Sequence, residues 1–71
     1  MTDEELLDAL KKEFPTKFDV LQGVTKSCSG SVYEYLSDYI RDYYDVTLYQ
    51  CDRVSKKLAE HLEIKKFYHY N

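Results

Sequence analysis

The chain has no tryptophan, one proline, two glycines and two cysteines, and it carries no long apolar run. Each scarcity removes a possibility. No stretch approaches the roughly 18 consecutive apolar residues that a transmembrane helix needs, so no membrane partner is expected. The opening residues Met1-Thr2-Asp3-Glu4-Glu5 are acidic and no apolar core follows them. A secretory leader needs a basic start and such a core, and the expected location is the cytoplasm. Cys28 and Cys51 are too few for a disulfide framework and read as small buried thiols in a reducing compartment. There is no internal repeat and no low-complexity tract. Seventy-one residues make one small domain, 1–71. A chain of this size buries only about 60% of its unfolded surface. That excludes an elaborate enclosed active site and a two-domain cleft.

What is abundant is tyrosine, eight residues beside three phenylalanines, and charge, 13 acidic and 10 basic side chains for a net charge of -3. The charge is unevenly placed. Residues 1–22 carry -3, residues 23–51 carry -2, and residues 52–71 carry +2 with both histidines, His61 and His69. The total excludes a strongly basic binder but leaves room for one basic face, the asymmetry that accompanies nucleic-acid surfaces.

Four helical segments follow from caps and periodicity. Thr2-Asp3-Glu4-Glu5 forms a capping box ahead of Leu6, Leu7, Leu10 and Phe14, and Pro15 stops the run, giving a helix over 3–14. Residues 16–26 read as a short helix carrying Phe18, Leu21 and Val24 with Gly23 as its end signal; the alternation over 17–21 leaves a short strand as the alternative. After the Ser27–Ser31 loop, the Ser31–Glu34 box opens a helix over 32–44, with Val32, Tyr35, Leu36, Tyr39, Ile40 and Tyr43 on its apolar stripe. Thr47–Gln50 is a third box, and Leu48, Cys51, Val54, Leu58 and Leu62 define a helix over 48–62. The two-residue period of Ile64 to Tyr70 predicts a strand or an extended arm. The expected fold is mainly α: three to four short helices in a compact bundle with a C-terminal strand or arm.

Catalysis finds little footing. A cysteine nucleophile needs a base and an orienting group, and no motif joins Cys28 to His61 or His69. The Ser27–Ser31 loop lacks the Gly-Lys-Ser/Thr ending of a phosphate-binding loop, and the cysteines and histidines share no zinc spacing. No enzyme activity, metal or cofactor is expected.

The segment 32–62 reads as a helix-turn-helix, two helices joined by Asp45-Val46-Thr47, the second running into Ile64-Lys65-Lys66-Phe67. Over residues 31–70 this resembles a winged-helix domain, in which a recognition helix is followed by a short strand leading to a basic wing. The resemblance implies DNA binding: the second helix would enter a groove with Gln50, Arg53, Lys56 and Lys57, while Lys65 and Lys66 would touch phosphates. A homodimer paired through the Tyr-rich helix would supply affinity. The alternative is a protein-interaction module, an adaptor or inhibitor, that engages a larger, basic partner through its acidic part and tyrosines. Tyr35, Tyr39 and Tyr43 are expected to pack, and Tyr33, Tyr44, Tyr49, Tyr68 and Tyr70 to meet the partner.

Overall fold

The computed structural model describes residues 1–69. It contains four helices, α1 (Asp3–Glu13), α2 (Lys17–Ser27), α3 (Val32–Tyr43) and α4 (Leu48–His61). α4 is the centre of the packing on one side, touching α1 and α3, while α2 packs on α3. No helix among the described residues is long and apolar enough to cross a membrane.

Each helix starts where a short polar residue offers a cap, and α1 has the full reciprocal box. There the Thr2 hydroxyl accepts from the Glu5 amide (3.1 Å) and Glu5 Oε1 accepts from the Thr2 amide (2.9 Å). Ser31 and Thr47 accept from the amides of Glu34 and Gln50. Their third-position side chains turn elsewhere: Glu34 Oε2 accepts from the Gly30 amide, and Gln50 Nε2 donates to the Met1 carbonyl (2.7 Å). At α2 the Asp19 carboxylate accepts from both the amide and the hydroxyl of Thr16.

The core is drawn from all four helices: Leu6, Leu10 and Phe14; Val20 and Val24; Val32, Leu36 and Ile40; Cys51, Val54 and Leu58. Full burial of a leucine of this kind contributes about 1.5–3 kcal/mol. Phe14, the residue after α1, turns its ring edge-on to Tyr39, 4.9 Å between centroids.

Three expectations change. The segment 16–26 forms a helix from Lys17 onward rather than a strand, but Gly23 does not end the helix. α2 continues to Ser27, and Cys28 takes the left-handed cap conformation (φ 57°), with the Ser29 amide donating to the Val24 carbonyl. Gly23 serves a different need: a Cβ placed there would lie 2.2 Å from the Tyr35 ring, so the missing side chain lets that ring rest on α2. Cys28 is exposed, and only Cys51 is buried. No strand is present among the described residues. A two-residue period needs a neighbouring strand to pair with, and the helices offer none. Instead, α4 and its cap Leu62 are followed by a left-handed Glu63 (φ 58°), after which the Ile64 amide donates to the Ala59 carbonyl. The segment that follows folds back so that the Phe67 carbonyl accepts from the Tyr33 amide (2.8 Å) in the first turn of α3.

Candidate functional site

The polar residues of α4 divide between its two flanks. On the α1 flank, Arg53 forms a two-pronged pair with Asp3 (Nε–Oδ2 2.8 Å, Nη2–Oδ1 3.2 Å), and Gln50 is bound to Met1. The Arg53 guanidinium holds the Asp3 carboxyl below its ordinary value, and Lys57 adds a smaller pull in the same direction. On the tail flank, Lys56 pairs with Asp52 (3.0 Å). The Lys56 ammonium, and to a lesser degree the Tyr33 hydroxyl, hold the Asp52 carboxyl low, while Asp52 and then Tyr68 raise the Lys56 ammonium. The row Gln50, Arg53 and Lys56 is thus engaged within the chain. Lys57, Lys65 and Lys66 are exposed and form no ion pair among the described residues.

The tyrosines sort differently from the expectation in one pair. Tyr43 is not packed away; it is 69% exposed, resting one side on Tyr39 at 4.7 Å. Tyr44 instead turns inward. Its hydroxyl donates to Glu13 Oε2 (2.6 Å) while that of Tyr39 donates to Glu13 Oε1 (2.8 Å), so one carboxylate at the end of α1 clamps the end of α3. The bond to Glu13 pushes the Tyr44 phenol up to about 12; burial, then Glu13, raises Tyr39 as well. Burial raises Tyr35 and the Cys51 thiol. Tyr33 is half-buried against Phe67 and Tyr68, both at 5.4 Å. Tyr49 is 80% exposed and Tyr68 is exposed, and Tyr70 lies outside the described residues.

Two parallel stripes run along α3. Tyr35, Tyr39 and Tyr43 recur one turn apart, and Glu34, Asp38 and Asp42 recur beside them at the same step. The tyrosine rings follow one another at 6.1 and 4.7 Å. With Ser27, Cys28 and Ser29 at the end of α2, both stripes line an open groove of about 450 Å³. All three carboxylate residues are exposed; Asp38 is paired with Arg41, and Asp42 has no cationic partner among the described residues. The sequence shows the carboxylates as the polar side of this helix. That they border the tyrosines as a surface follows only once Tyr43 is found outside the core.

Among the described residues no three His, Cys, Asp or Glu side chains converge as a metal site would require. No protein-family model, curated protein or solved structure matches the chain.

Proposed function

We propose that the chain is a non-catalytic protein-interaction module that receives a basic segment of a partner on the double stripe of α3. The observation that carries this reading is the alignment of Glu34, Asp38 and Asp42 with Tyr35, Tyr39 and Tyr43 along one open groove. Arginine suits such a surface better than lysine, because its planar guanidinium can stack on a phenol ring while pairing with a carboxylate one turn away. The net charge of -3 steers a cationic partner towards the chain. Exposed Tyr43 offers large contact area with little side-chain entropy to lose.

The test is a calorimetric titration of the full chain with a synthetic arginine-rich peptide. Wild type is expected to bind, and replacing Asp38 and Asp42 together by lysine is expected to weaken binding by about tenfold or more, each lost charge pair accounting for about 1 kcal/mol at a partly exposed interface. Equal binding by the Asp38→Lys, Asp42→Lys variant contradicts the reading.

A winged-helix mode of duplex DNA binding by α4 is the second reading, favoured by the short connection between α3 and α4 and by unpaired Lys57. It requires Arg53 to leave Asp3 and Gln50 to leave Met1. Asp3→Asn is then expected to strengthen duplex binding, and an unchanged or weaker affinity speaks against this mode.

A further inference from the structure

The start of α2 and the segment after α4 meet in a second open groove, about 560 Å³, lined by Lys17, Leu21, Glu63, Ile64, Lys65 and Lys66. Three ammonium groups and one carboxylate share this rim. Leu21 and Ile64 are half-buried and pack on the core, forming an apolar floor. None of the three lysines has an anionic partner among the described residues. Lys17 lies 5.6 Å from the centroid of the Phe18 ring, and that ring is 69% exposed.

From this arrangement we propose a binding site for single-stranded nucleic acid, with Lys17, Lys65 and Lys66 meeting backbone phosphates and Phe18 receiving a base. The chemistry separates this ligand from its competitors. Unpaired lysines alone would suit any polyanion, but an exposed aromatic ring beside them matches the platform-and-rail pattern of single-strand binding. An acidic peptide has no base to stack on Phe18. A duplex keeps its bases stacked away from the ring and offers only its outer phosphates. The site lies at the beginning of α2, whereas the α3 groove meets the end of that helix. An 11-residue helix separates its two ends by about 16 Å, so one surface can fail without the other.

The experiment is fluorescence anisotropy of the full chain with a labelled oligothymidylate of about ten nucleotides. Three phosphate contacts on a single strand give a salt slope of about -2, a loss of about 20-fold in affinity between 50 and 200 mM salt. Lys17→Glu combined with Lys66→Glu is expected to abolish binding, Phe18→Ala to weaken it about tenfold, and Glu63→Gln to strengthen it. Lys26→Gln, at the opposite end of α2, leaves it unchanged. Should the charge-reversed chain lose its far-UV helical signal, Lys17→Gln with Lys66→Gln carries the same test by neutralisation, with a shallower salt slope expected. The proposal is overturned if wild type shows no salt-dependent binding at 50 mM salt, or if the lysine variants bind as wild type does. It is equally overturned if a polyglutamate peptide competes as well as unlabelled oligothymidylate, the outcome that an acidic-peptide site would give.

Discussion

Gly23 and Tyr35 form a coupled pair whose energetics can be separated. Alanine at a helix-interior position is favoured over glycine by about 1 kcal/mol. Here that gain is opposed by the Tyr35 ring, which occupies the space a Cβ would need, and crowding of this kind costs about 1–3 kcal/mol. Gly23→Ala is therefore expected to destabilise the chain by about 1 kcal/mol in urea unfolding. In a Tyr35→Ala background the same change should stabilise it, and the reversal of sign is the decisive reading. A second residue-scale test concerns Glu13 and Tyr44. Tyr44→Phe removes a hydrogen bond to a carboxylate and should cost about 1 kcal/mol at neutral pH. Because the folded phenol is raised from 10.0 to about 12, its contribution is complete below pH 10 and is lost as the pH climbs towards 12. Ultraviolet titration of wild type is expected to include an ionisation step near pH 12 that Tyr44→Phe lacks.

At the scale of the elements, the ends of the helices hold most of what can be changed. Glu63 sits in the left-handed region, where a side chain costs about 1 kcal/mol. Glu63→Gly should stabilise the chain by up to about that amount, raising the urea midpoint. Beside the buried Leu6 and Leu10, α1 is tied to α4 by Asp3, whose carboxyl is held below 3.8 by Arg53. A depressed carboxyl stabilises above its unfolded value, and the contribution is lost as the pH falls below about 3.8. Between pH 5 and 2 the stability of Asp3→Asn should thus vary less than that of wild type, as read from urea midpoints.

The starts of the helices were legible in the sequence because a cap involves only three or four neighbouring residues. The periodic stripes of α1, α3 and α4 were legible for the same reason, each being a property of one helix. What could not be read was where one helix leans on another. Gly23 has the signature of a helix end, and only the Tyr35 ring on a different helix shows why it stands in the middle of α2. Tyr43 is the last residue of α3 and Tyr44 its extended cap, a boundary at which helical periodicity distinguishes them poorly. Glu13, 31 residues before Tyr44, decides which of them turns inward. The candidate site was legible only in its ingredients. The acidic side and the tyrosines of α3 were visible, but their union in a groove required the end of α2, and the pairing of Arg53 with Asp3 joins residues 50 positions apart.

For the whole molecule, the charge gradient takes on a spatial meaning. The basic C-terminal part does not form a single basic face on α4: Arg53 and Lys56 are neutralised by Asp3 and Asp52, one on each flank of the helix. Of the remaining lysines, Lys65 and Lys66 join Lys17 at the start of α2, while Lys57 stays exposed on α4. On α3, the three carboxylates Glu34, Asp38 and Asp42 share a groove with exposed aromatic surface. An 8.5 kDa chain with so small a core has little interior to devote to chemistry, and its specific features lie on its surfaces. The most direct measurement is a two-dimensional amide NMR titration of the full chain with the arginine-rich peptide. The largest shifts are expected at Glu34, Asp38, Tyr39, Asp42 and Tyr43, with saturation at one site. Shifts centred on Arg53 and Lys57, or a spectrum that the peptide leaves unmoved, would contradict this expectation.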